Sequence, residues 1–157
     1  MTVPTTNRRT RRLAVLPMVV GTVAKAEMRG AVFGSGYMLR CVVETGLFDE
    51  IDIYAPTVGQ QLPYEAMVAS QPWLAGRVVR VRQAIHLHRH VAADEYDVVF
   101  APTFSTEVAA LATLRERVQA RFRIVSMVYT ISYPDTEGAI LQNLIAPLRE
   151  DDLLNCT

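Results

Sequence analysis

The chain has 157 residues, half of them hydrophobic and a fifth charged, and its acidic and basic residues balance to a formal net charge of zero. This length suits one domain with a buried core. Zero net charge gives no electrostatic reason to expect nucleic acid as a partner. No apolar run reaches the roughly 18 residues that a membrane-spanning helix needs, so the composition indicates a globular protein.

The N-terminal residues combine clustered arginines with a short apolar run, Leu13–Val20. A secretory signal peptide has the same order, but the small-residue cleavage site is poor and the run contains Pro17. We therefore expect residues 1–11 to form a mobile, arginine-rich tail. Clustered arginines favour anionic membrane surfaces weakly, which leaves open a peripheral contact at the inner membrane face in a cytoplasmic protein.

From the tail onward, short β-type runs alternate with helical stretches. Apolar or alternating runs predict six strands: Leu13–Leu16, Ile51–Tyr54, Val78–Val81, Asp97–Ala101, Ile124–Tyr129 and Asp152–Thr157. Helical spacing and capping residues predict helices over Tyr37–Thr45, Pro63–Ser70, Thr106–Ala120, and from Asp135 or Thr136 to about Pro147. The last of these has a stripe formed by Ile140, Leu141, Leu144 and Ile145. The segment Gln83–Ala93 fits either type.

Strands that are joined by helical crossovers imply βαβ units and a parallel sheet. The sequence therefore predicts a single α/β domain over residues 12–157, with a Rossmann-like parallel sheet flanked by helices. Because the last predicted strand has only begun where the sequence stops, we expect this domain to be truncated at its C-terminal end.

Cysteine and histidine spacing gives no metal site. Cys41 and Cys156 lie far apart in apolar stretches, and we interpret them as buried, reduced thiols. His86, His88 and His90 would share one face only in an extended segment, so a surface cluster is the preferred interpretation. We expect neither a metal nor a cofactor.

In an open α/β sheet, ligands bind beyond the carboxyl ends of the strands. Three predicted loops leave such ends, at 21–36, 101–105 and 130–136. The first carries Gly34, Ser35 and Gly36 directly before a predicted helix, where backbone N–H groups and the helix N-terminus favour an anion. The alternative is a plain flexible loop, because Leu39 stands where the dinucleotide fingerprint needs its third glycine.

The other two loops offer hydroxyl groups and a carboxylate to a sugar. The candidate acceptor-binding residues are Thr103, Ser132, Tyr133 and Asp135. For Asp135 and Thr103 the alternative is that they only cap the helices that follow. No Ser–His–Asp order and no paired-carboxylate motif stands out, so the sequence identifies no catalytic residue.

Several segments carry a resemblance when they are taken in order. Gly34–Gly36 runs into a helix, the segment TGLFDEIDIY (Thr45–Tyr54) follows, and Glu95–Pro102, Ile124–Ser132 and Asp151–Thr157 contain the later strands. Together they resemble the N-terminal domain of the GT-B glycosyltransferases, in particular the large retaining family 4. Many members carry a histidine after the fifth strand, where this chain has Ser132.

The resemblance implies a domain that binds a sugar-containing or lipid-linked acceptor and faces a C-terminal domain, or a second chain, that holds the nucleotide-sugar. Gly34, Ser35 and Gly36 would lie near the donor phosphates in the cleft between them. The enzyme would be of the hexosyltransferase type, acting in carbohydrate or polysaccharide biosynthesis. Because transfer requires both substrates to be positioned together, this half is expected to be inactive by itself.

Two other interpretations stay open. The chain could be one half of a split, two-chain transferase. It could also be a non-catalytic Rossmann-like module that binds a nucleotide or a sugar phosphate, and titration with uridine nucleotides would separate this from an acceptor domain.

Overall fold

The computed structural model describes residues 9–17, 30–93, 95–102, 106–128 and 136–156. Six strands form one sheet in the order β3-β2-β1-β4-β5-β6, with every neighbouring pair parallel. The strands are β1 (Arg12–Val15), β2 (Glu50–Ala55), β3 (Val78–Gln83), β4 (Val98–Ala101), β5 (Arg123–Val128) and β6 (Leu153–Cys156). The predicted parallel α/β sheet is therefore confirmed.

Helices cover both faces of the sheet. They are α1 (Gly30–Glu44), α2 (Gln61–Ser70), α3 (Leu87–Ala92), α4 (Thr106–Val118) and α5 (Thr136–Ile145). Residues of α1 and α2 share one apolar core with the sheet, residues of α3 and α4 share a second, and α5 packs beside α4. The ambiguous segment before β4 is a short 3₁₀ turn followed by α3. Within the described ranges, no helix is long and apolar enough to cross a membrane.

Alternation along the strands explains how two cores form. Leu13 and Val15 of β1 enter the core under α1, whereas Ala14 enters the core under α4. On β2, Ile51 and Ile53 join the first core and Tyr54 joins the second. Successive side chains of a strand point to opposite faces, so runs this apolar suit a sheet that is covered on both sides.

The order of the strands also indicates where a ligand-binding crevice lies. The chain moves from β1 outward through β2 to β3, and α3 then returns it to β4 on the other side of β1. The direction of winding thus reverses between β1 and β4. In open α/β sheets, ligands bind at the carboxyl ends of the two strands that flank such a reversal.

Helix α1 ends as predicted, but it does not bury Cys41. Gly46 follows it with φ of +67°, the left-handed conformation that glycine adopts at helix C-termini. Leu39 and Val43, four residues apart, form its buried face. Cys41 lies between them in sequence and points away from this face, so the expectation of a buried Cys41 is wrong.

The predicted apolar stripe of α5 is also wrong. Leu141, Leu144 and Ile145 are exposed to between 65% and 87%. The helix instead buries Ala139 and Asn143, which lie four residues apart on another face. Helical spacing identifies a stripe of apolar residues, but the neighbouring elements decide which face they cover.

Candidate functional site

The carboxyl ends of β1, β4 and β5 meet at one edge of the sheet. The three strands are neighbours and run parallel, with Val15 level with Phe100 and Phe100 level with Val125. Pro17 follows β1 closely and Pro102 follows β4 directly. The segments that leave these strands therefore start from adjacent positions, as the sequence predicted for the ligand edge.

The acceptor-binding candidates belong to those segments. Thr103 lies in 103–105, and Ser132, Tyr133 and Asp135 lie in 129–135, all outside the described residues. Their proposed contacts with a sugar stay predictions. The structure does describe the strands that precede these segments, and β4 and β5 lie side by side.

The predicted glycine loop is wrong in its boundary. Helix α1 begins at Gly30, so Gly34, Ser35 and Gly36 are its fifth to seventh residues. Only the first four N–H groups of a helix lack intrahelical partners, so the amides that can meet an anion here belong to Gly30–Phe33. The role of Gly34, Ser35 and Gly36 in binding donor phosphates stays a prediction.

The density of glycines predicted a loop here. The free energy gained when the helix packs against the core is larger than the cost of placing these glycines in a helix. A glycine inside a helix costs about 1 kcal/mol relative to alanine, whereas full burial of one leucine contributes about 2 kcal/mol. Leu39 and Val43 in the second half of α1 are 1% and 3% exposed. Gly36 fills no steric need, because a Cβ added there would meet no atom within 4 Å.

An apolar pocket of about 230 Å³ opens at this edge, between α3 and α4. Leu16 and Pro17 after β1 form one wall, and Ala84 and Leu87 before and in α3 form a second. The third wall is formed by the first nine residues of α4. Its lining residues there are Glu107, Ala110, Leu111 and Leu114. The lining is apolar apart from one carboxylate, which suits a small hydrocarbon group with a polar end.

A charged cluster lies beside α3, along β1, β2 and β3. At its centre Asp52 is 1% exposed and pairs with three arginines: Arg12 at 3.5 Å, Arg80 at 3.3 Å and Arg82 at 2.8 Å. Glu50 and Glu95 also pair with Arg12. Three carboxylates thus face three guanidinium groups, and this balance permits burial.

Two tyrosines connect this cluster to the apolar core. The Tyr96 hydroxyl donates to Asp52 at 2.7 Å, and the Tyr54 and Tyr96 hydroxyl oxygens are 2.7 Å apart. Because the one proton of Tyr96 goes to Asp52, Tyr54 donates to Tyr96. Burial raises the pKa of Tyr54 to about 12. Burial, followed by the hydrogen bond with Tyr54, also raises the pKa of Tyr96.

The histidines separate in the structure. His86 and His88 are exposed, whereas His90 is half-buried, with Nδ1 at 3.1 Å from Glu95 and Nε2 at 3.0 Å from Arg82. In the part of the chain that is described, no group of three or more histidine, cysteine or acidic side chains is placed to hold a metal ion. The charged cluster therefore includes one of the three histidines.

Sequence reasoning did not find this cluster. One signal was present, since β2 alternates Glu50 and Asp52 with isoleucines, and β3 alternates Arg80 and Arg82 with valine. Charges in alternation on two strands of a covered sheet indicate that they pair across the strands. Because its polar groups mainly satisfy one another, we assign the cluster a structural role.

A second buried ion pair joins α4 to the start of β5 and β6. Arg115 is fully buried and donates to both carboxylate oxygens of Asp152, at 2.6 and 2.8 Å. Burial alone would raise the pKa of Asp152. Hydrogen bonds from the Arg115 side chain and from the backbone N–H groups of Arg149 and Ile124 outweigh this effect and lower the pKa.

No protein-family model, no characterised protein and no solved structure matches this chain. Many functions share parallel α/β sheets of this kind, so the fold by itself does not select one. The functional conclusion therefore rests on the residues and geometry of the carboxyl edge.

Proposed function

We propose that this chain is the acceptor-binding domain of a glycosyltransferase, which moves a sugar from a nucleotide-sugar to a sugar-containing or lipid-linked acceptor. The observation that carries the proposal is the apolar pocket beside the crevice at the carboxyl ends of β1 and β4. The resemblance to GT-B N-terminal domains supplies the reaction class. The donor would be held by a second domain or a second chain.

The pocket suits the apolar part of such an acceptor. Leu16, Ala84, Leu87 and Leu114 contribute side chains to it, and burial of hydrocarbon against them contributes about 25 cal/mol per Å². The segment with Thr103 follows β4, which lies beside β1, and the segment with Ser132, Tyr133 and Asp135 follows β5, on the far side of β4. Hydroxyl and carboxylate groups at that edge are the partners that sugar hydroxyl groups need.

The task of this half is to hold and orient the acceptor. Positioning two reactants against each other removes several kcal/mol from a reaction barrier, and it needs both substrates at once. We therefore expect no turnover when the chain is mixed with nucleotide-sugars alone. Hydrolysis or transfer by this chain without a second domain would contradict its assignment as the acceptor side.

Acceptor binding can be tested with octyl β-glucoside, kept below its micelle-forming concentration, as a minimal sugar with an alkyl chain. In ¹⁵N-resolved NMR spectra we expect saturable shifts of the amides of Ala84, Leu87 and Ala110. Ala110→Trp fills the pocket and should weaken binding about tenfold, the effect of losing 1.4 kcal/mol. The control is Ala66→Trp, at another exposed helical alanine on α2, outside the pocket.

The two variants make the outcome decisive. Equal binding by Ala110→Trp and Ala66→Trp would exclude the pocket between α3 and α4 as the acceptor site. Loss of binding in Ala110→Trp alone would support it. Far-ultraviolet circular dichroism establishes that both variants keep their helices.

A second candidate function is nucleotide binding without catalysis. The strand order β3-β2-β1-β4-β5-β6 favours it, because dinucleotide-binding domains share this order and bind at the same reversal point. Titration with uridine diphosphate, compared with inorganic phosphate, separates the two candidates. A tight nucleotide site in this chain would support the binding module and contradict the acceptor domain.

A further inference from the structure

Four arginines line a shallow cavity at the opposite, amino edge of the sheet. Its volume is about 480 Å³, and the arginines are Arg9, Arg11, Arg121 and Arg123. Among the described residues that line it, Asp97 is the one acid. The chain as a whole carries no net charge, so this cavity is a local concentration of positive charge.

The sheet register explains why these arginines converge. Arg11 directly precedes β1 and Arg123 begins β5, with β4 between the two strands. Val98 of β4 pairs with Leu13 on one side and with Arg123 on the other, so Arg11 lies two strands and two residues away from Arg123. With about 4.8 Å between strands and about 3.3 Å per residue, the two backbones are separated by about 12 Å. Two arginine side chains can therefore reach one ligand above Val98.

Two arginines of this cavity make weak ion pairs. Arg9 lies 3.8 Å from Asp97, and Arg123 lies 2.8 Å from Asp151, with both arginine side chains more than 60% exposed. Exposed pairs contribute about 0–1 kcal/mol, so a competing anion can displace them. Arg11 is held through its backbone N–H, which donates to Asp49, and this bond does not engage its guanidinium group.

We propose that this arginine cavity binds the phosphate group of a phosphorylated ligand. Guanidinium groups donate paired hydrogen bonds that match phosphate oxygens. Leu47 and Phe48 form an apolar wall beside the arginines, against which the carbon part of the ligand packs. The site lies at the edge opposite the acceptor pocket, so this assignment is independent of the proposed function.

Inorganic pyrophosphate is the first probe, titrated at low ionic strength into the full chain. We expect saturable NMR shifts at Arg11, Phe48, Asp97 and Arg123. Arg11→Ala should weaken binding about tenfold, the equivalent of one charge-assisted hydrogen bond. The control is Arg89→Ala, which removes the same charge from an exposed position on α3.

A second experiment distinguishes a soluble phosphorylated ligand from a lipid headgroup. It compares binding of the chain to phosphatidylglycerol vesicles with binding to phosphatidylcholine vesicles. Pyrophosphate binding that depends on Arg11 supports a soluble phosphorylated ligand. Vesicle binding that depends on Arg11, without saturable pyrophosphate binding, supports a lipid headgroup. The proposal is overturned if neither probe binds, or if Arg89→Ala weakens binding as much as Arg11→Ala does, since the attraction is then unspecific.

Discussion

The two edges of the sheet differ in how their polar groups are held. At the amino edge, Asp49, Asp97 and Asp152 each accept a hydrogen bond from a backbone N–H at or beside the start of a neighbouring strand, at 2.7–2.8 Å. At the carboxyl edge, β1 and β4 lead into Pro17 and Pro102, and the described surface there is the apolar pocket.

This difference separates the scaffold from the candidate site. Carboxylates at the amino edge fix the relative positions of strands, and Asp152 also pairs with the buried Arg115 of α4. At the carboxyl edge, the apolar side chains that line the pocket stay accessible among the described residues. A ligand that binds there can bury them. We expect substitutions of the amino-edge carboxylates and of their buried partners to change stability, and substitutions in the pocket at the carboxyl edge to change acceptor binding.

The largest expected effect is at Arg115, which is fully buried. Arg115→Ala removes the guanidinium group that neutralises the Asp152 carboxylate and donates to the carbonyl groups of Phe122 and Pro147. Removing one partner of a buried ion pair typically costs about 3–5 kcal/mol. Urea unfolding measures the loss, and Arg117→Ala on the exposed side of the same helix should change the free energy of unfolding by less than about 0.5 kcal/mol. If the two variants had equal effects, the buried ion pair of Arg115 would not stabilise the fold.

A smaller loss is expected at Tyr96, which joins the charged cluster to the core. Tyr96→Phe removes the hydrogen bond to Asp52 and the acceptor for Tyr54. The expected cost is about 2 kcal/mol, because one of these bonds is made to a charged group. Tyr37→Phe is the control, since Tyr37 is 70% exposed on α1. If Tyr96→Phe is as stable as the control, the cluster does not support the sheet.

Alkaline pH tests the same tyrosines without substitution. Tyr54 and Tyr96 have raised pKa values in the folded protein, so the folded state keeps protons that the unfolded chain loses above the ordinary value of 10.0. Stability is therefore fully present below pH 10.0 and falls as the pH rises toward about 12, the folded pKa of Tyr54. Thermal unfolding between these values measures the fall. A flatter profile is expected for Tyr96→Phe, and an unchanged profile would contradict the assignment.

The smallest expected effect is a gain of stability at Gly36, in the helix that follows β1. Gly36→Ala should stabilise the protein by about 1 kcal/mol, because the position is helical and has space for a Cβ. Gly46→Ala is the matched control and should destabilise it, since Gly46 has φ of +67°. If Gly36→Ala instead lost ligand binding, Gly36 would belong to the candidate site.

Much of the fold could be predicted because its signals are local. Runs such as Leu13–Leu16 and Ile124–Tyr129 are apolar enough to identify covered strands, and all six predicted strands are present in the sheet. The start of α1 was missed because glycine is a poor helix former in isolation. The stripe of α5 was assigned to the wrong face because periodicity carries no information about which neighbour a helix meets.

The candidate site was predicted only in outline. Parallel strands alone indicate that their carboxyl ends share an edge, and this holds for β1, β4 and β5. The pocket between α3 and α4 could not be predicted, because Leu16, Leu87 and Leu114 are brought together by two crossovers. The arginine cavity has the same origin, since Arg11 and Arg123 are distant in sequence and close across β4.

The sequence by itself determined the fold class, the number of strands and the edge at which ligands are expected. These follow from periodicities of two and 3.6 residues and from capping residues, which act over a few positions. Only the tertiary structure decided that Asp52 meets three arginines, that Arg115 enters the core with Asp152, and that α5 exposes its leucines. Such pairings depend on strand order and register, and the energy of a charge or an apolar side chain depends on what surrounds it after the chain has folded.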